Sequence, residues 1–145
     1  MASPGAVLSE QQHRRRRLTG PALLAAGVLT ASLALHLRDP HRSGSWGACP
    51  WLLATGTYCP GCGGLRAVAD LTRGDVAAAA SSNLLLVASL PLLVGWWLTS
   101  VVDRWWGVTR VVGERRQLAA GLGFLVAAVG FAVLRNTGAG AWLAP

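Results

Sequence analysis

Val76–Val102 reads VAAAASSNLLLVASLPLLVGWWLTSVV, 27 residues without one charge. As a single helix it would reach about 40 Å, more than the roughly 30 Å hydrocarbon core of a bilayer. A charge at the centre of such a span costs about 2.5–3.5 kcal/mol in lipid, so its absence is the signature of a membrane helix. The first part, Val76–Ser82, is rich in small residues and reads as an entry at the outer interface. The lipid-facing span then covers about 83–102. Pro91 falls inside it and removes one backbone hydrogen bond, which predicts a kink there.

The rest of the chain agrees. Leu18–Leu37 is a second uncharged run, long enough to cross, and Leu118–Leu134 is a third, glycine-rich one near the lower length limit. Of the 145 residues 52% are hydrophobic and only 13% charged, with a mean hydropathy of +0.43. The expected fold is an all-α integral membrane protein with three transmembrane helices over about 18–37, 83–102 and 118–134. These form a single membrane domain over 18–145, behind a disordered basic tail over 1–17 that ends in Arg14–Arg17. A basic start before an apolar run also suits a signal peptide, but no small-x-small cleavage site follows, so 18–37 is read as an uncleaved span.

The net charge is +7 and every lysine-or-arginine position is arginine. These arginines flank apolar runs and form no stripe interleaved with aromatics, which argues against nucleic acid and for the lipid bilayer as partner. Three spans put Arg14–Arg17, Arg104, Arg110, Arg115 and Arg116 on one side. Arg38, Arg42, Arg66, Arg73 and Arg135 fall on the other. The positive-inside rule therefore expects a cytoplasmic N-terminus, with the cysteine loop 38–75 and the C-terminus outside, in the cell membrane.

That loop holds the densest chemistry, Cys59-Pro60-Gly61-Cys62-Gly63-Gly64-Leu65-Arg66, with Cys49 upstream. Trp46–Tyr58 is too short to span and lies at the interface or re-enters the membrane. Gly63–Thr72 predicts a short interfacial helix with Leu65, Val68, Ala69 and Leu71 on one side. Asp75 suits the N-cap of the next helix. Topology gathers these groups with the entry of the second span and the exit of the third. The expected cluster is Cys49, Cys59 and Cys62 with Arg66, Asp75, Asn83, Arg135 and Asn136.

Three chemistries fit the cysteines. A Cys-Pro-x-Cys-Gly turn presents two thiolates to zinc or iron, with Cys49 a third ligand and His41 or His36 a fourth. A thiol at a helix N-terminus near Arg66 is acidified and suits disulfide exchange, although no thioredoxin-like alternation surrounds it. Outside the cytoplasm, two of the three thiols can also simply oxidise into a structural staple. Arg66 with Arg135 suits an anionic head group or phosphate. No Ser/His/Asp triad, paired-carboxylate site or phosphate loop is visible, so the residues do not point to an enzyme, and zinc or iron is the one cofactor they suggest.

Thr55-Gly56-x-x-Cys59-Pro60-Gly61-Cys62-Gly63-Gly64-x-Arg66-Ala67, followed by Gly74-Asp75 and Asn83, resembles the bacterial membrane-protein family of unknown function numbered 2752. Cys49-Pro50 and Arg135-Asn136 fit the same pattern. Leu65 stands where a threonine is often found, and Leu84 where a proline is. The resemblance implies a small multi-pass membrane protein and no particular activity. The leading expectation is a structural or accessory component working with a membrane-protein partner or as a homo-oligomer. A metal-binding or thiol-redox protein is the first alternative, and an oligomeric transporter or anionic-lipid-head-group binder the second.

Overall fold

The computed structural model describes residues 4–42, 44–108 and 110–144, with backbone alone over 4–14. Among these residues it holds helices α1 (Pro4–Leu37), α2 (Pro50–Thr55), α3 (Gly64–Thr72), α4 (Val76–Trp106) and α5 (Glu114–Arg135), then a 3-10 helix, Gly138–Leu143, and no strand. Three helices are long and apolar enough to cross a membrane, over Arg15–Leu37, Val76–Trp106 and Glu114–Arg135. Large apolar side chains stand exposed along all three, among them Leu33, Leu92 and Phe124. Water would oppose that arrangement and lipid does not. The chain has the architecture of an all-helical, multi-pass membrane protein.

Two expectations change. The tail read as disordered over 1–17 is helical from Pro4, and residues 1–3 lie outside the described residues. Proline suits the first helical position, and no glycine or proline interrupts the chain between Gly5 and Gly20. Secondly, α4 departs from helical dihedrals at Asn83 (φ −158°, ψ 91°), while Pro91 lies within the helix. Two helical pieces, 76–82 and 84–106, therefore meet at Asn83. Its side-chain oxygen accepts the N–H of Leu86 at 2.9 Å, capping the second piece. By their contacts the residues fall into two compact units. The most apolar window of α4 has no residue buried in protein, so contacts concentrate elsewhere.

The first unit joins the chain up to Thr30 with Pro91–Val112. Pro21, inside α1, lacks the N–H that would bond the carbonyl of Arg17 four positions back. Arg104 Nη1 supplies a donor to that carbonyl at 3.4 Å, and Trp97 Nε1 donates to Pro21 O at 3.3 Å. The second unit joins Ala31–Leu90 with Gly113–Pro145. Its core is small: Leu35, Cys62, Ala67, Ala69, Ala79, Ala128, Phe131 and Leu143. On α3 the buried face is Ala67, Ala69 and Asp70, with Leu65 exposed. Small side chains allow close approach, so this face differs from the leucine-bearing one expected.

Candidate metal-thiolate site

Cys49 precedes Pro50, the first residue of α2, and α2 ends at Gly56 in the left-handed region. The chain then returns through Thr57 and Tyr58 into the Cys59–Cys62 turn. Cys62 N donates to Cys59 O at 3.1 Å and Gly64 N to Gly61 O at 3.0 Å. Gly63 (φ +79°) turns the chain into α3, a conformation only glycine adopts without strain. The Cys49 and Cys59 sulfurs are 3.6 Å apart, and those of Cys59 and Cys62 are 3.1 Å apart. All three sulfurs lie within 4.8 Å of one another, and all three thiols are free. Sulfurs around a tetrahedral zinc stand roughly 3.8 Å apart, from a Zn–S bond of about 2.3 Å. The three thiols fit one face of such a tetrahedron with small adjustments.

Polar side chains grip the backbone of this turn. Asn83 Nδ2 donates to Pro60 O at 3.0 Å and to Cys62 O at 3.1 Å. Arg135 Nη1 donates to Cys59 O at 3.1 Å and Cys62 O at 2.9 Å, and its Nη2 to Leu143 O at 2.8 Å. Asn136 pairs with both backbone groups of Tyr58, accepting from its N–H and donating to its carbonyl, each at 2.9 Å. The guanidinium carbon of Arg135 lies 5.5 Å from the Tyr58 ring centroid and 4.9 Å from that of Phe131. The turn is thus held from α4 and from the end of α5.

The electrostatics of this grip are unusual. Arg135 is 2% exposed, and no carboxylate forms an ion pair with it among the described residues. Its Nε is buried without a hydrogen-bond partner. Buried charges are normally paired or tied to a metal site, because an unbalanced one is costly. Its guanidinium instead faces the Tyr58 ring and the carbonyls of Cys59 and Cys62. The Cys49 thiol is lowered to about 7, first by the backbone N–H of Leu52 and then by the Cys62 thiol. Burial pushes the Cys62 thiol up to about 12, with the neighbouring thiols adding to the effect. A metal ion bound here would displace that proton.

Of the expected cluster, Asn83, Arg135 and Asn136 meet the cysteine turn, and Arg66 and Asp75 do not. Arg66 Nε donates to Pro40 O at 3.4 Å. Asp75 is exposed and accepts the N–H of Ala78 at 2.8 Å, as an N-cap does. Neither imidazole joins the thiols: His36 Nδ1 pairs with the Thr72 hydroxyl at 3.0 Å. His41 lies between Asp39 at 2.9 Å and Asp70 at 3.4 Å. The backbone N–H of His41 holds the Asp39 carboxyl below its ordinary value. Sequence reading missed Asp70, which is 6% exposed and accepts the Ser82 hydroxyl at 3.1 Å. Its signal was its place three positions after Ala67, on the small-residue face of α3.

Residues 49–97 match the family described as protein of unknown function (DUF2752). The match spans about a third of the chain. No curated protein and no solved structure matches it. The match takes in the three cysteines and Asn83 and stops before Arg135 and Asn136, which reach the same turn through space.

Proposed function

We propose that this DUF2752 chain is a membrane component built around a divalent metal, zinc by its ligand chemistry, held by Cys49, Cys59 and Cys62. The observation that carries this reading is the buried, carboxylate-free guanidinium of Arg135 bonded to the backbone of two of the thiol residues. Three thiolates around a divalent ion carry one net negative charge, and Arg135 balances it. A Cys59–Cys62 disulfide is neutral and leaves that cation without a counter-charge, so the charge balance favours metal over a staple. The fourth position of a tetrahedral ion is open to water or to a partner's ligand, in keeping with an accessory role. The arginine bias supports a cytoplasmic N-terminus and a cysteine turn on the outer face.

The test is metal quantification on protein purified in mild detergent, with thiol titration in parallel. The expected result is one zinc per chain, lost in Cys59→Ser and Cys62→Ser. Protein that refuses added zinc while all three thiols titrate freely sinks the proposal. Isolation with Cys59 and Cys62 joined and no metal favours the staple instead.

A further inference from the structure

We propose a second site, in the first unit, that binds a phosphate group, supplied at this depth by the headgroup of an anionic phospholipid. A cavity of about 430 Å³ opens there, lined by Arg17, Arg104 and Arg110 together with Asp103, Gly107 and Val108. Its construction follows from three local facts. Pro21 leaves the carbonyl of Arg17 without its helical donor, and Arg104 Nη1 turns to it, which anchors one edge of that guanidinium. Gly107 sits at φ +69°, and a Cβ there would collide with the guanidinium of Arg17, so the missing side chain is the space in which Arg17 lies. Arg110 Nε meets both oxygens of Asp103, at 2.9 and 2.8 Å, and the two neutralise each other.

Arg17 and Arg104 therefore remain as the uncompensated charge, since neither forms an ion pair among the described residues. Two guanidinium forks converging on one cavity match the oxygens of a phosphate better than a single carboxylate. The location selects the source. These residues lie where the α1 span begins, at Arg15, and where the α4 span ends, at Trp106. Arginine and tryptophan at a span end sit at the level of lipid headgroups.

The experiment uses the full-length protein in vesicles of phosphatidylcholine with or without phosphatidylglycerol. Native mass spectrometry then counts the lipid retained. Wild type is expected to keep phosphatidylglycerol in preference to phosphatidylcholine. Arg17→Gln and Arg104→Gln each lower that retention roughly fivefold. Val108→Glu leaves every arginine in place but puts an opposing charge in the cavity, and it is expected to lose the lipid to the same degree. Arg15→Gln removes an exposed charge outside the cavity lining and is expected to bind as wild type. Equal loss in Arg15→Gln, or full retention in Val108→Glu, overturns the site. Inorganic phosphate is titrated into delipidated protein as a second arm. Saturable binding there, abolished by Val108→Glu and without any phosphatidylglycerol preference, keeps the phosphate site and overturns the lipid as its source.

Discussion

Arg135 Nη1 lies 2.9 Å from the carbonyl oxygen of Cys62, 73 positions away in sequence. The same nitrogen reaches Cys59 O, so one side-chain atom ties both ends of the Cys59–Cys62 turn to the exit of the last span. The turn is not a loop that carries two thiols freely. Its backbone is fixed from below by a cation that has no acidic partner among the described residues.

Arg135→Gln removes three charge-assisted hydrogen bonds together with the counter-charge for thiolates. Stability in detergent is expected to fall by about 3 kcal/mol or more. Zinc affinity falls by roughly 10–100-fold. Arg135→Lys keeps the charge but not the fork, so it recovers metal affinity better than stability. Thermal unfolding and competition with a chromogenic chelator read the two effects separately.

Asn83 serves two masters, and its two atoms separate them. Asn83→Ala loses the Pro60 and Cys62 bonds and the cap on Leu86, for about 2–4 kcal/mol. Asn83→Asp still accepts from Leu86 but cannot donate to either carbonyl. Chemical denaturation is expected to place Asp close to Ala if the grip on the turn dominates, and close to wild type if the cap does. The two donor bonds, one of them buried, favour the first outcome.

The thiols of metal-free protein should differ in reactivity with pH. The thiolate is the reacting form, and its fraction rises with pH through the group's own value. Cys49, lowered to about 7, is expected to gain alkylation through the neutral range. Cys62, raised to about 12 by burial, stays refractory there. Zinc is expected to block all three, and to be released as acid returns protons to the sulfurs. Peptide mass spectrometry after iodoacetamide at graded pH checks each site.

Asp75 and Asp70 should exchange the ranks their positions in sequence suggest. Asp75→Ala removes an exposed cap, costs about 1 kcal/mol, and leaves metal content unchanged. Asp70→Ala strips the buried partner of Ser82 and His41 and costs more, about 1–3 kcal/mol. Unfolding midpoints of the two variants, with zinc measured alongside, decide the order.

The spans were legible because lipid imposes a rule on composition: uncharged runs long enough to cross stand out without any knowledge of packing. The gathering of Asn83, Arg135 and Asn136 at the cysteine turn followed from the same rule, since three crossings bring entry and exit to one end. Side-chain destinations were another matter. Arg66 and Arg135 look alike in sequence, yet one reaches Pro40 and the other lies beneath the thiols. His41 stands near the cysteines in the chain, but two aspartates offer it a closer charge. Proline lacks a donor, which predicts a kink in α4 at Pro91, and the small residues of 76–82 predict a boundary before the lipid-facing span. The structure breaks at Asn83, where a side chain that both caps the next turn and grips the preceding loop makes leaving the helix favourable.

The position of Arg135 and Asn136 at the end of α5 also orders the birth of the molecule. Synthesis delivers the cysteine turn and Asn83 before these two residues. A chain halted before its third span would hold the turn by Asn83 alone, without the bonds from Arg135 and Asn136. Closure of the turn therefore waits until the third span has been made.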